Sequence, residues 1–139
     1  MTTYFEQVNV GDEVPVFERK TDFMSWNRYA AINEEFVYVH MDDAAGKAAG
    51  QGAAFGMGNL RWAYILNALR SWVGEEGEVK ELGMQFRAIN HKDDILTTYA
   101  KVVDKNADGN LVRLEVDVRN QKGEKTSPGH AVVSLPSRR

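Results

Sequence analysis

The sequence predicts an α+β fold in which one long, buried helix is wrapped by a curled antiparallel sheet. Two features carry the prediction. From Met57 to Val73 apolar residues fill nearly every position of a helical period. After Gly77, four alternating segments rich in β-branched residues follow one another, separated by turn chemistry. Short elements first, one buried helix next and a meander of strands last is an order that suits a sheet curled around the helix. At 139 residues the chain fits one domain, 1–139, with a single sizeable core.

Taken in order, Val14 to Thr21 alternates as a first strand, and Asp22 stands as an N-cap for a short helix reaching about Ile32. A tight segment covers Asn33 to His40. Asp43 to Gly50 is Ala-rich and reads as another short helix stopped by Gly50. Gly52 to Gly58 is a loose, glycine-rich loop. In the long helix Asn59, Asn67, Arg70 and Ser71 share a narrow polar arc with Arg61 to one side, so the helix is expected to be buried nearly all round. Gly74 and Gly77 end it. Glu78 to Ala88, Ile95 to Val103, Leu111 to Asn120 and His130 to Leu135 then read as strands. Residues 106–110 and 121–124 make the hairpin turns between them. Only the tail Ser137-Arg138-Arg139 is expected to be flexible.

Composition narrows the function. The apolar fraction of 43% and charged fraction of 27% are those of a soluble globular protein. A net charge of −3 with scattered basic residues argues against nucleic acid as the main partner, since a phosphate-binding surface concentrates positive charge. With no cysteine, disulfides, thiolate metal sites and a Cys nucleophile are excluded. The start Met1-Thr2-Thr3-Tyr4 lacks a signal-peptide pattern and no apolar run approaches a membrane span, so a cytoplasmic protein with no membrane partner is the expectation.

One motif is deceptive. Asp104-x-Asn106-x-Asp108-Gly109 followed by Glu115 matches an EF-hand calcium loop, but that loop needs a helix on each side, whereas both flanks alternate as strands do. Gly46-Lys47 is not followed by Ser or Thr, and Gly56-x-Gly58 lacks a third glycine, so neither is a phosphate loop. His40, His91 and His130 are too dispersed for a metal triad, and no metal is expected.

The informative stretch runs from Asn33 to Asp42. A carboxylate at Glu35, five residues before His40 and across a tight turn, can bring an acid and an imidazole to one small cavity, a pair suited to moving protons near neutral pH. A solvated acid and a core histidine would show the same spacing. The segment resembles the hydratase signature of the MaoC-like, R-specific enoyl-CoA hydratase and dehydratase family, which reads Asp-Phe-Asn-Pro-Ile-His before an acidic residue and an Ala-rich helix. Glu35 falls on the Asp, Phe36 on the Phe, His40 on the His and Asp42 on the following acid. Phe55-Gly56-Met57 sits where the family often has His-Gly-Met at the start of its long helix. Residues 84–87 and 131–136 look like its later strands. Three positions depart from it: Glu35 replaces Asp, Val37-Tyr38 replaces Asn-Pro, and Glu34 stands where the family usually has Gly.

What the resemblance implies is the hotdog fold, and water addition to a 2-enoyl thioester such as an acyl-CoA, or the reverse dehydration, with no cofactor beyond the substrate's own carrier. It implies Glu35 and His40 as the proton-moving pair, and the backbone N–H of Gly56 as donor to the thioester oxygen. Phe55, Met57 and Tyr38 would contact the substrate, and the partner would be an identical or related hotdog subunit. Trp62, Tyr64 and Trp72 can line an acyl tunnel or simply pack the core. Two other readings stay open. An acyl-thioesterase of the same fold usually carries a carboxylate on the long helix, and none lies between Gly56 and Val73. A non-catalytic subunit that completes a partner's tunnel is the second, given the altered positions 35, 37 and 38.

Overall fold

The computed structural model describes residues 1–138, and Arg139 of the tail expected to be flexible lies outside them. In chain order the elements are β1 (Glu18–Lys20), α1 (Phe23–Asn33), α2 (Asp43–Ala48), α3 (Gly58–Val73), β2 (Glu78–Met84), β3 (Ile95–Asn106), β4 (Leu111–Arg119) and β5 (Lys125–Ser134). All five strands pair antiparallel in one sheet of order β1-β3-β4-β5-β2. Register shifts at Val79/Glu81, Val102/Asp104 and Val118/Arg119 interrupt three of the ladders, and such bulges bend and twist strands. The sheet curls around α3, as the sequence predicts.

The core forms because α3 and the strands each present one apolar face. Along β4, Val112, Leu114, Val116 and Val118 are buried while Arg113 and Glu115 are exposed, the period-two alternation of a half-covered strand. Ile65, Leu69 and Val73 of α3 pack against Val102, Val112, Leu114, Ala131 and Val133. One helical turn earlier, Met57, Leu60 and Tyr64 meet Trp26 and Ala30 of α1 with Leu96 and Val118. Tyr64 and Trp72 pack in or against this core, so neither is free to line a tunnel by itself.

Several boundaries differ from the expectation for identifiable reasons. The first strand shrinks to Glu18–Lys20: Pro15 has no N–H to give, and residues 13–17 follow β3 only through single contacts such as Val14 N–H to Ala100 C=O. β5 begins at Lys125 rather than His130. Pro128 and Gly129 look like a turn, yet they pair with Asp117 and Val116, and a Cβ at Gly129 would lie 2.0 Å from the Gly83 carbonyl oxygen. The calcium-like spacing straddles a β-hairpin, with Gly109 at φ 78° in its turn. α3 is not covered all round. Trp62 points outward with 36% of its surface exposed, and Arg61, expected beside the polar arc, is only 3% exposed. Among the described residues no helix is long and apolar enough to cross a membrane.

Leu69 is fully buried at the centre of this packing. Leu69→Ala is expected to lower stability by about 2–5 kcal/mol, read as a lower denaturant midpoint at unchanged slope.

Candidate active site

The site is assembled by the turn that ends α1. Asp22 caps α1 by accepting the Ser25 N–H at 2.9 Å, a bond that holds its carboxyl below the usual carboxylate range. At the other end Glu34 takes a left-handed conformation (φ 55°, ψ 30°) and its N–H returns to the Ala30 carbonyl. This is the position where the resembled signature has glycine, the residue that adopts this conformation without strain. The Glu35 N–H also bonds Ala30 C=O, at 3.1 Å, so the chain folds back over the helix end and leaves Glu35 half-buried. A 3₁₀ turn over Tyr38–His40 follows, and Asp42 caps α2 by accepting the Ala44 N–H at 3.0 Å.

The loop before α3 is then drawn against this turn. Gly46 of α2 lies so close to the chain that a Cβ there would stand 2.1 Å from the Ala53 carbonyl oxygen, and the Asp43 carboxylate accepts the Ala54 N–H. Phe55 N–H donates to Val39 C=O, and Phe55 also bridges to His91. His40 is fixed by the same strip: its Nδ1 lies 2.7 Å from the Phe55 carbonyl oxygen, and its ring meets the Phe55 ring edge-on at 5.2 Å. A carbonyl only accepts, so Nδ1 carries the proton and the neutral ring keeps its lone pair on Nε2. Glu35 is tied to the other end of the strip, its Oε2 accepting from Asn59 Nδ2 at 3.2 Å. The fold thus attaches both members of the sequence-predicted pair to Phe55–Asn59, where α3 begins. Burial, and secondarily the Glu35 charge, push the Tyr29 phenol upward, so it keeps its proton at neutral pH.

The remaining assignments fare differently. Gly56 does not offer its N–H as expected: that group donates to Asn90 C=O at 2.8 Å. A Cβ there would sit 1.8 Å from Asn90 Nδ2, so any larger residue must displace that buried side chain, a reason internal to the protein. The amides of Gly58 and Asn59, in the first turn of α3, have no acceptor within the helix. Met57 is fully buried in the core, Phe55 is half-buried against His40, and Tyr38 is 80% exposed. Asn59, Tyr29, Arg61 and Asn90 went unnoticed in the sequence as site residues because an amide, phenol or guanidinium outside a motif gives no spacing signal. Among the described residues no group of three or more His, Cys, Asp or Glu is placed to hold a metal. A groove of about 830 Å³ runs elsewhere, along the outer face of α3 and β2, past Trp62, Leu66, Arg70 and Leu82.

No family model matches the sequence, and no curated protein matches it. Solved structures do match. An R-hydratase, PhaJ1 of Pseudomonas aeruginosa, superposes with a TM-score of 0.89 at 21% identity, covering 97% of this chain and 86% of the other. The ChsH1–ChsH2 complex of Mycobacterium tuberculosis gives 0.83 at 22% identity, covering 91% and 98%. A MaoC-like dehydratase of Rhodospirillum rubrum gives 0.81 at 16% identity, covering 99% of both chains. These likenesses fix the fold: the chain is a hotdog domain of the form seen in R-hydratases and MaoC-like dehydratases.

The left-handed Glu34 yields a stability prediction. Such a conformation costs an L-residue about 1–2 kcal/mol, partly offset because glycine gains about 0.4–1 kcal/mol of unfolded-state freedom. Glu34→Gly is therefore expected to stabilise by about 0.5–1 kcal/mol, seen as a melting temperature raised by a few degrees.

Proposed function

We propose that the protein hydrates a 2-enoyl thioester to the 3-hydroxyacyl thioester, or catalyses the reverse dehydration, on an acyl-CoA or carrier-bound substrate. The observation that carries this reading is the His40–Phe55 hydrogen bond. It leaves Nε2 as a base on the segment that opens α3, where Glu35 is also held. The likeness to an R-hydratase and to a MaoC-like dehydratase supports the same class.

In the hydration direction His40 Nε2 takes a proton from water as its oxygen bonds C3. The C2–C3 electron pair moves toward the thioester carbonyl, giving an enolate. The Glu35 carboxylate orients the same water by accepting its second hydrogen, and His40 returns the proton it took to C2 on the same face, so the H and OH of one water are added in balance. Charge on the thioester oxygen is the costly feature, and the free amides and positive dipole end of α3 face such a charge favourably. Asn59 explains how a glutamate can serve where the signature has aspartate: the longer carboxylate is positioned by an amide on α3.

A second hotdog unit is the partner this reading expects. Ile32 (80% exposed), Phe36, Val37 and Tyr38 surround the Glu35–His40 turn with apolar surface, and Trp62 adds more on the outer face of α3. The same surface supports the alternative of a subunit active only beside a related chain, in the way that ChsH1 and ChsH2 form a complex with each other.

The test is loss of enoyl-thioester absorbance over short, medium and bulky acyl-CoAs. His40→Ala and Glu35→Ala are each expected to lower kcat by about a hundredfold or more, whereas Glu35→Asp, which withdraws the carboxylate from Asn59, loses less. Activity indifferent to His40 sinks the reading. A folded protein silent across the panel transfers the assignment to the partner-dependent subunit, and sedimentation equilibrium is expected to show association beyond the monomer.

A further inference from the structure

Arg61 is a buried cation with no anion beside it among the described residues. It lies in the first turn of α3 and is 3% exposed. Its Nη1 donates to the carbonyls of Ala88, at 2.5 Å, and Thr126, at 3.3 Å, while its guanidinium stacks over the Phe86 ring at 5.0 Å. Its Nε has no hydrogen-bond partner, and no described carboxylate forms an ion pair with it. Burial alone lowers the guanidinium pKa to about 10, with no neighbouring charge opposing it, so the group stays cationic at neutral pH.

Two physical rules make this arrangement costly. A buried charge is tolerated when it is paired, and this one is not. A cation is also disfavoured in the first turn of a helix, where the backbone dipole is already positive. The neighbouring polar group repeats the pattern. Asn90, two residues beyond the Ala88 carbonyl, is fully buried; its carboxamide presses against Gly56 at the approach to α3, and neither Nδ2 nor Oδ1 has a partner. The start of a sixteen-residue helix therefore gathers the positive end of a dipole, a guanidinium with no ion-pair partner among the described residues and an amide whose two polar atoms are unsatisfied.

We propose that Arg61 and Asn90 form an anion-stabilising centre beneath the first turn of α3, which favours the enolate form of a bound acyl thioester. The inference rests on the hydratase reading and deepens it by naming groups that set the energy of the intermediate. Arg61 acts through its field without touching the substrate, and Asn90 contributes an oriented amide dipole. Both lie outside the segment that resembles the hydratase signature.

The probe is acetoacetyl-CoA, whose enolate has its own ultraviolet absorbance and whose ionisation when bound reports the field at the site without turnover. Wild-type protein is expected to raise the bound enolate fraction above that in buffer. Arg61→Gln, which keeps an N–H donor for the two carbonyls but removes the charge, is expected to lose most of that rise and to lower kcat by about tenfold to a hundredfold with KM little changed. Arg61→Lys, which keeps the charge, is expected to retain much of both. Should Arg61→Gln fail to fold, Asn90→Leu tests the same centre and is expected to reduce the enolate fraction. Equal enolate fractions in wild type, Arg61→Gln and Arg61→Lys overturn the proposal, as does a wild type that leaves the ligand's ionisation unchanged. An enolate rise that follows the charge at position 61, without hydration of any enoyl-CoA, keeps this centre and rejects the hydratase reading; hydration with no such rise does the reverse.

Discussion

Burial of α3 against the concave face of the sheet is the constraint on which the remaining structure depends. Ile65 and Leu69 are fully buried, and they meet Val102, Val112, Leu114 and Val133 from three strands. Each such side chain contributes about 1.5–3 kcal/mol of transfer free energy, large beside a domain's net stability. The curl of the sheet follows from the need to surround one cylinder, and the bulges in its ladders supply the bending. α1 adds Trp26 and Ala30 over the N-terminal half of α3, which brings the end of α1, and with it Glu35, to the place where α3 begins.

A helix held this firmly gives its first turn a defined position, and the fold uses that turn as an anchor. The strip Phe55–Asn59 accepts from His40, donates to Glu35, pairs with Val39 on one side and with Asn90 on the other. The site is consequently built from three stretches far apart in sequence, all referred to one rigid element. Under the proposed function, such support holds Glu35 and His40 within the small tolerances that proton transfer demands. Stability alone leaves unexplained a left-handed Glu34 at the end of α1 and, at the start of α3, an Arg61 with an unsatisfied Nε beside an unsatisfied Asn90. Costly features of this kind cluster where a structure serves something besides its own folding.

Much of the fold was legible in the sequence. The long helix, its two closing glycines, the Asp22 cap, the Ala-rich helix and the strand meander depend on periodicity and local capping, which a few neighbouring residues decide. The exceptions are equally local in cause. Pro15 broke a strand that alternation had lengthened, and Pro128-Gly129 concealed strand residues that fit only because Gly83 passes close beside them. Of the site, Glu35 and His40 could be singled out because their spacing crosses a single turn and matches a known signature. Gly56 was singled out as a donor to the thioester oxygen, whereas its N–H is already bonded to the Asn90 carbonyl.

The sequence by itself determined most element types through hydrophobic period and caps, which act within short windows; its resemblance to a known signature implied the hotdog class and singled out Glu35 and His40 as a candidate pair. Only the tertiary structure decided which nitrogen of His40 is free, which amide holds Glu35, and where the unpaired positive charge lies. Those properties depend on contacts such as His40 with Phe55, Glu35 with Asn59 and Arg61 with Thr126, separated by 15, 24 and 65 positions. Local pattern cannot specify such contacts, because they exist only once the sheet has closed around α3.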